Sequence, residues 1–328
     1  MARYVMDFER PLVELEGKLA ELRKIDLAEN PQLAEQIEDL AHEIELLRID
    51  TYEHLTPWAR VQISRHPDRP KLDDYLFTLF TDLVELHGDR FFGDDEAIFA
   101  GLATLDDRRV VVLGHRKGAD TKTNVKRNFG SPHPEGYRKA MRVMRLAEKF
   151  GLPVVSFLDT AGAFPGVDDE DRGQGQAIAE SLALLSGLRV PVVVTGIGEG
   201  GSGGALAIGF GDRLIMLENA YYSVITPESC ASILYKDAGK ASEVAQCLRM
   251  TAQNLLELRI ADELVAEPLG GAQNDPAAVI PLVGDAISRA LDGLSGRNVD
   301  ELVESRYARL RDIGHVVEAA VDTAGGDA

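Results

Sequence analysis

The sequence contains little cysteine, little tryptophan and no long apolar run. Its 328 residues include two cysteines, Cys230 and Cys247, and one tryptophan. Two thiols are too few for a disulfide framework or for a zinc site built by this chain alone, so we expect two buried or idle thiols in a reducing compartment. No run approaches the ~18 apolar residues of a membrane-spanning helix, and the first ten residues lack the apolar core of a signal peptide. We therefore expect a cytoplasmic protein.

Positive charge is also scarce. The chain has 35 Lys and Arg residues against 54 Asp and Glu residues, which gives a formal net charge of −19. This balance argues against general nucleic-acid binding and against attachment to an anionic membrane. The chain is 45% apolar and 27% charged, which is typical of a globular protein with a sizeable core. Its length suits one large domain with an appendage, or two modest domains.

Apolar spacing divides the chain into four segments. In residues 1–50, leucine and isoleucine recur at steps of three and four on either side of Asn30-Pro31, which predicts an antiparallel helical hairpin with a structural or subunit-contact role. Residues 51–75 form a basic connector, whose arginines could grip a phosphate or pair with the acidic body. Residues 76–293 form the main body. Residues 294–328 are predicted to be a terminal helix and a disordered tail.

The main body alternates short β-branched runs with helical segments. Strands are predicted over 96–105, 109–114, 152–158, 190–195, 212–217 and 221–224, and helices over 76–86, 134–150, 171–188, 227–235, 241–258 and 276–291. This alternation predicts an α/β domain with largely parallel strand pairing. In such sheets, ligands bind beyond the carboxyl ends of the strands. The loops that follow strands are therefore the candidate site.

Three loops follow apolar strands. The first, 115–130, carries a cluster of cations that suits an anionic ligand, with a solvated loop as the alternative: Arg116, Lys117, Lys122, Lys126 and Arg127. The second is the glycine-containing run 159–166. The third is Gly196-Ile197-Gly198-Glu199-Gly200-Gly201-Ser202-Gly203-Gly204-Ala205, in which we expect the preceding strand to break into glycines and then start a helix. Free N–H groups at such a helix start suit an oxygen that becomes anionic during a reaction.

The third loop fits three motifs. Its spacing matches the dinucleotide-binding fingerprint, with Glu218 about 20 residues on as the ribose acid, but that fingerprint usually opens a domain. It also matches the nucleophile elbow around Ser202, which needs a histidine base. Only His315 follows Ser202, and His115 would have to be brought close by the fold. We therefore favour an oxyanion hole made of backbone N–H groups over a hydrolase, with a tightly packed turn as the non-functional alternative.

Several motifs occur in the order found in one known family. They are Arg127-Asn128-Phe129-Gly130, Pro134-Glu135-Gly136-Tyr137-Arg138-Lys139-Ala140, Asp159-Thr160-x-Gly162-Ala163-Phe164-Pro165-Gly166, the stretch from Gly198 to Gly209, and Ser223-Val224-Ile225-x-Pro227-Glu228. From Asp7 to about Arg311 the chain resembles the alpha subunits of bacterial acetyl-CoA carboxylase carboxyltransferases. It departs from the family pattern at Ala161, where proline is usual, and at Ser229, where glycine is usual.

The resemblance implies a crotonase-like fold of stacked ββα units and a carboxyl transfer from carboxybiotin to acetyl-CoA, which gives malonyl-CoA for fatty-acid synthesis. It implies that the N–H groups of Gly203 and Gly204 form an oxyanion hole. A carboxybiotin pocket is then expected from Gly162, Ala163, Phe164, Gly200, Gly201 and Ser202, with Phe164 as a core aromatic in the alternative. Contacts to CoA or to a partner are expected from Lys117, Lys122, Lys126 and Arg127.

The resemblance also implies partners. These are a beta subunit that carries a zinc ribbon, a biotin carboxyl carrier protein and a biotin carboxylase, with two alpha and two beta subunits in the transferase. This chain itself is expected to hold no covalent cofactor and no metal, and the family is further associated with nucleotide and ATP binding. Alternatives are propionyl-CoA as the acceptor, a crotonase-type hydrolase that uses Ser202, and a scaffold that only docks the carrier.

Overall fold

The N-terminal segment is a helical hairpin, as predicted. The computed structural model describes residues 4–25 and 31–314, so Asn30, His315 and the predicted tail lie outside the described residues. Helix α1 (Arg10–Leu22) packs along helix α2 (Pro31–Glu53). Leu12, Leu19 and Ile44 form a small buried cluster between them, which is the narrow apolar stripe read from the sequence.

The connector contains two short helices, α3 (Pro57–Ser64) and α4 (Leu72–Leu79). Helix α3 begins after Thr56, whose side chain accepts a hydrogen bond from the N–H of Ala59 at 3.1 Å, as an N-cap threonine does. The connector arginines donate to groups of the main body at 2.6–2.8 Å, namely Arg60 to Asn219, Arg65 to Glu199 and Arg69 to Glu267. Pairing with the acidic body is therefore the role that the structure supports for these arginines.

The main body is built on one eight-stranded sheet. Its strands are β1 (Phe80–Glu85), β2 (Ile98–Leu105), β3 (Arg108–His115), β4 (Val154–Thr160), β5 (Val192–Gly201), β6 (Arg213–Leu217), β7 (Tyr221–Ser223) and β8 (Glu263–Val265). The order is β1-β2-β3-β4-β5-β6-β8, with β7 paired to the end of β5. Strands β1 to β3 pair antiparallel, and the other pairs are parallel. The predicted, largely parallel sheet is confirmed.

Helices alternate with these strands, and some of them pack on the sheet. They are α5 (Thr121–Lys126), α6 (Pro134–Phe150), α7 (Val167–Asp171), α8 (Gln174–Gly187), α9 (Ser202–Leu206), α10 (Pro227–Tyr235), α11 (Ala241–Cys247), α12 (Ala252–Glu257), α13 (Pro276–Leu294) and α14 (Val299–Arg311). Helix α6 has the predicted ends, because Pro134 suits the first helical position and Gly151 caps the last turn with φ +66°. The central strand β4 is buried along its whole length, as its β-branched run predicts.

Two predicted helices are wrong in part. The segment 76–86 is helical only as far as Leu79, because Phe80–Glu85 pairs with β2 and becomes the edge strand β1. The segment 241–258 is two helices, interrupted where Arg249 adopts φ +48° and Met250 is buried. In both places tertiary pairing overrides a local helical pattern, which is a weak determinant on its own.

The largest local correction concerns strand β5. We expected it to end at Thr195, but it continues to Gly201. The glycine-rich end of β5 pairs with β7 from Glu199 to Gly201, and Gly200 also pairs with Thr160 of β4. Because neighbouring strands satisfy its backbone groups, the segment stays extended despite its glycine content. The strand-to-helix junction therefore lies at Ser202.

Candidate active site

The three candidate loops meet at the carboxyl ends of β3, β4 and β5. The backbone of the second loop lies directly against the glycines of the third. A side chain at Gly201 would overlap the backbone of Ala161, and one at Gly204 would overlap the backbone of Gly162 and Ala163. These glycines are required because two backbone segments approach closely. The predicted tight packing is thus present, and it brings the two glycine-containing loops together.

Gly203 differs from the glycines beside it. A Cβ there would have Ile178 as its nearest neighbour, at an ordinary contact distance of 3.6 Å. Gly203 is half-buried, whereas Gly200, Gly201 and Gly204 are buried. Gly203 and Gly204 lie in the first turn of α9, where N–H groups have no partner within the helix. Among the described residues, neither N–H donates to an acceptor in a loop or side chain.

Ser202 occupies a strained and exposed position at the junction. Its φ is +56°, a conformation that costs an L-residue roughly 1–2 kcal/mol. In the part of the chain that the structure describes, no histidine is hydrogen-bonded to its side chain. The fold does bring His115 close, but the Nε2 of His115 lies 3.2 Å from the carbonyl oxygen of Gly204. The backbone at Ser202 therefore has the strained turn of a nucleophile elbow, but no described histidine is placed to act as its base.

His115 is buried and neutral. Burial lowers the pKa of its imidazole to about 3, against an ordinary value of 6.5. Nε2 therefore carries a proton when it donates to the Gly204 carbonyl. A histidine with so low a pKa is a poor general base near neutral pH. Its contact instead holds the peptide that follows Gly204.

A buried ion cluster joins the strand ends. The ammonium of Lys117 lies 2.7 Å from a carboxylate oxygen of Asp159 and 2.9 Å from one of Glu199. Asp159 is the first residue of the second loop, and Glu199 is part of the third. The same oxygen of Asp159 accepts the N–H of Glu199 at 3.1 Å. Lys117 therefore ties the basic loop to both glycine-containing loops.

Glu199 has further partners. Arg65 donates to it from Nε at 2.7 Å, and the hydroxyl of Tyr221 donates to it at 2.8 Å. Arg65 also pairs with Glu228. Burial raises the pKa of Glu199, but Lys117 and Arg65 more than offset this and bring the pKa to about 2. Burial lowers the pKa of Lys117, but the negative charges of Asp159 and Glu199 raise it by more, so the pKa lies above its ordinary value.

The cluster borders a cavity of about 280 Å³. Asp159, Ala161, Glu199 and Lys117 line it, together with Phe129 of the basic loop. The bases Arg65, Arg69, Lys71 and Lys117 line it together with the acids Asp159 and Glu199, so bases outnumber acids in its lining. It lies beside the glycine-containing loops and is large enough for a small ligand group.

The four cations proposed for CoA or partner contact occupy two environments. Lys117 is engaged as described, and Arg127 donates to Asp73 and to the carbonyl of Lys117, both at 2.9 Å. Lys122 is exposed, and Lys126 is exposed with an ion pair to Glu96 at 2.6 Å. Part of the predicted loop is helix α5. Lys122 and Lys126 are therefore the two that face solvent.

Phe164 is half-buried, so it is neither a core residue nor a free surface group. Its N–H donates to the carbonyl of Pro132 at 3.0 Å, and its ring packs on His133 with centroids 4.8 Å apart. Gln174 donates to the carbonyls of Pro132 and Phe164. These contacts anchor the second loop to the start of α6. Gly162 and Ala163 are held next to them, half-buried against Gly204.

His133, Glu135 and Asp169 bring ligand atoms within 4.8 Å of one another, which is metal-like spacing. Cations of the chain already occupy these carboxylates. Arg172 donates to Glu135 and to Asp169 at 2.9 Å, and His133 contacts Asp169 at 2.5 Å. The group is therefore an ion-paired support beneath the Phe164 loop.

The two departures from the family pattern are accommodated. Ser229 lies in the first turn of α10, where its N–H donates to the side chain of Thr226 at 3.3 Å. Its φ is not positive, so glycine is not required there. Ala161 contributes mainly its backbone, which lies against Gly201.

The sequence did not identify roles for Arg65, Asp159 and Glu199. All three side chains were visible in the segments singled out, but their partners come from distant parts of the chain. The one available signal was an acid between glycines at the end of an apolar strand. Such a position is hard to explain by packing alone.

Comparison with known proteins decides the family. Over residues 5–314 the chain matches the family model described as "Acetyl co-enzyme A carboxylase carboxyltransferase-like". The chain belongs to this family. A relative from Thermus thermophilus, "Acetyl-coenzyme A carboxylase carboxyl transferase subunit alpha", is 51% identical over 313 residues, covering 95% of this chain and 99% of the relative. A relative of the same name from Stenotrophomonas maltophilia is 49% identical over 309 residues, covering 94% and 97%. The predicted family and the transferase class are confirmed.

Solved structures confirm the crotonase-like fold. A transcarboxylase 12S structure aligns with a TM-score of 0.56 and 17% identity, covering 69% of this chain and 41% of that one. A Pseudomonas malonate decarboxylase hetero-tetramer, in complex with coenzyme A, aligns with a TM-score of 0.55 and 18% identity, covering 67% and 90%. At these identities the likeness concerns the fold alone. The comparisons do not support nucleotide or ATP binding by this chain.

Proposed function

We propose that this chain, together with a beta subunit, transfers the carboxyl group of carboxybiotin to acetyl-CoA and so forms malonyl-CoA. The observation that supports this most directly is the first turn of α9. There Gly203 and Gly204 offer backbone N–H groups without partners in the described chain, and the backbone of the second loop fixes their position. Family membership supplies the reaction class.

The proposed role of these N–H groups is electrostatic. When bound, carboxybiotin supplies an activated carboxyl group, and its loss leaves negative charge on the ureido oxygen. Gly203 and Gly204 would donate to that oxygen. Removing one fixed donor of this kind costs a factor of about 10²–10³ in rate. The cradle of Gly162, Ala163 and Gly201 fits this purpose, because it holds the donors in place before any ligand arrives.

The other residues of the predicted pocket would shape the approach to these donors. Ser202 is exposed beside them, and Phe164 stands at the edge of the second loop. Gly200 and Gly201 are buried against neighbouring backbone, so their contribution would be the close packing of the loops. The Lys117 cluster would act as a positioning device, because it holds Asp159 of the second loop and Glu199 of the third.

An apolar rim suggests that the site is completed by another chain. Val167, Leu206 and Val224 are exposed by 80%, 38% and 80% and flank the glycine-containing loops. Val224 directly follows Ser223, which pairs with Gly201. We propose that the beta subunit, which would carry the zinc ribbon, covers this rim in an assembly of two alpha and two beta subunits. The biotin carboxyl carrier protein and biotin carboxylase would join this assembly.

Acetyl-CoA is the proposed acceptor, and Lys122 and Lys126 are its proposed phosphate or partner contacts, because both side chains face solvent. No observation favours propionyl-CoA over acetyl-CoA. No helix within residues 4–25 and 31–314 has the length and apolar character needed to span a bilayer. The cytoplasmic location stays a prediction.

The first experiment is carboxyl transfer in reverse, from malonyl-CoA to a free biotin derivative. We expect turnover only when this chain is mixed with its beta subunit. Gly203→Pro removes one N–H in the first turn of α9 and should lower kcat by about 10²-fold. Gly203→Ala retains the N–H and meets only Ile178, so it should stay within a few-fold of wild type. Equal activity of the two variants, with assembly intact, would contradict the oxyanion role.

A hydrolase that uses Ser202 is the second candidate, because Ser202 is exposed on a strained turn. Ser202→Ala separates the two functions. Carboxyl transfer should survive the loss of the hydroxyl, whereas hydrolysis by a serine nucleophile would be abolished. Thioester hydrolysis by the isolated chain, lost in Ser202→Ala, would favour the hydrolase.

A further inference from the structure

A second cavity lies at the other end of the sheet. It has a volume of about 340 Å³ and is lined by the start of β3, the segments before β4 and β5, and the junction of α13 with α14. Strand β3 spans eight residues, roughly 26 Å at the usual rise per residue. The cavity is therefore remote from the glycine-containing loops and is not part of the site described above.

The charge of this cavity is of one sign. Its charged lining residues are Arg108, Arg109, Arg189 and Arg297, and no described acidic residue lines it. The chain as a whole carries a net charge of −19, so four converging arginines depart sharply from its average. The adjacent pocket around Arg306 is different, since Asp212, Asp262 and Asp312 line it together with its arginines.

Two of the four arginines are available to a ligand. Arg108 pairs with Asp292, and Arg189 pairs with Asp300 at 2.9 Å. Within the described ranges, Arg109 and Arg297 form no ion pair. The Nε of Arg297 donates to the carbonyl of Gly293 at 3.0 Å, which leaves its two terminal nitrogens unused. A guanidinium presents a planar fork that matches the oxygens of phosphate.

Most of the remaining side chains in the lining are apolar. Leu291, Leu294, Val299 and Leu302 contribute side chains, together with Pro153 and Pro191. Pockets of about 300 Å³ and above, with an apolar lining and a few convergent polar groups, are typical of small-molecule sites. A lining that combines cations with apolar groups suits an anion attached to an apolar group.

We propose that this cavity binds a small phosphate-bearing molecule, with Arg109 and Arg297 as the principal contacts and the leucine-lined floor for its apolar part. The proposal is independent of carboxyl transfer, because the cavity shares no residue with the candidate active site. Free phosphates and organic phosphate esters share this chemistry. The apolar floor predicts a preference for the ester.

The test is calorimetric titration of the full-length chain with inorganic phosphate, pyrophosphate and phenyl phosphate. We expect saturable binding of one equivalent, with phenyl phosphate at least about fivefold tighter than inorganic phosphate. The double variant Arg109→Ser/Arg297→Ser should weaken binding at least tenfold. Because neither residue forms an ion pair in the described chain, the variant should fold, which circular dichroism would verify. Arg145→Ser, an exposed arginine on α6, is the matched control and should bind like wild type.

Two results would overturn the proposal. One is binding that does not saturate, or that is equal in the double variant and the wild type. The other is loss of assembly with the beta subunit in the double variant without any phosphate binding by the wild type, which would identify the arginines as a protein contact. A crystal soaked with tungstate, a heavy mimic of phosphate, should place the ion between Arg109 and Arg297.

Discussion

The two ends of strands β3, β4 and β5 differ in whether their positive charges are paired with acids. At the carboxyl ends, Lys117 is 15% exposed and is matched by two carboxylates. At the amino ends, Arg109 and Arg297 face an open cavity with no acid in its described lining. Burial enforces pairing, because an unpaired buried charge is very costly. The paired cluster therefore suits positioning, and the unpaired one suits an external anion.

Among the substitutions that test this difference, Lys117→Met should cause the largest loss in the free energy of unfolding. It leaves the carboxylates of Asp159 and Glu199 without their shared cation, which costs about 3–5 kcal/mol in buried pairs. Chemical denaturation measures the change in the free energy of unfolding. Lys122→Met, in the same loop but exposed, is the matched control and should change that free energy by less than about 0.5 kcal/mol. A loss below about 1 kcal/mol for Lys117→Met would show that the cluster does not stabilise the strand ends.

Gly204→Ala tests whether backbone packing holds the loops at the carboxyl ends. The added methyl group would overlap the backbone of Gly162 and Ala163, so we expect a loss of about 1–3 kcal/mol, as in other overpacked sites. Turnover should fall as well. Gly203→Ala adds the same methyl group against Ile178 only, and should cost much less in thermal unfolding. Equal costs at the two positions would contradict the packing described here.

Because His115 is buried and neutral, we expect the stability of the protein to fall at acidic pH. The pKa of His115 is about 3 in the folded chain against an ordinary 6.5, so the unfolded chain binds more protons between these values. The contribution of His115 to the free energy of unfolding is fully present above pH 6.5. It falls as the pH drops, by at most about 1.4 kcal/mol per pH unit.

The free energy of unfolding at about pH 7.5, 6.5 and 5.5 should show this slope in wild type. His115→Gln keeps a donor for the Gly204 carbonyl and should show a shallower slope. Glu199 does not interfere in this range, because its contribution is lost only as the pH falls from 4.5 toward 2. Identical slopes for wild type and variant would rule out a buried neutral histidine.

The smallest expected effect lies at the amino ends. Arg109→Ser/Arg297→Ser should alter the free energy of unfolding by less than about 0.5 kcal/mol, because both side chains are exposed and neither forms an ion pair in the described chain. Differential scanning calorimetry measures it without ligand. A loss comparable to that of Lys117→Met would mean that these arginines stabilise the fold, and the contrast between the two ends would disappear.

Much of the fold follows from local pattern. The β-branched runs predicted β4 and β6 to within a few residues, and Pro134 with Gly151 predicted both ends of α6. Edge strand β1 and the break at Arg249 were not predictable in this way. Each depends on contacts outside its own segment. Strand β1 forms because it pairs with β2, and the helix breaks beside Met250 because Thr251 pairs with Tyr221.

The candidate site likewise has features that the sequence predicted and features that it did not. The glycine motifs located the loops, because close backbone approach leaves a compositional trace. They did not reveal that β5 continues to Gly201, that His115 reaches the Gly204 carbonyl, or that Lys117 is shared by Asp159 and Glu199. Those contacts join residues 40 or more positions apart, and side-chain identity alone does not pair them.

The sequence by itself determined the family, the α/β class, the helical hairpin and the positions of the glycine-containing loops, because periodicity and motif order are local properties of the chain. Only the tertiary structure decided which cations are consumed by internal acids and which remain free. Coulomb attraction and desolvation depend on distance and burial. The fold sets both when it places Lys117 between Asp159 and Glu199 at one end of the sheet and leaves Arg109 and Arg297 without an ion pair in the described chain at the other.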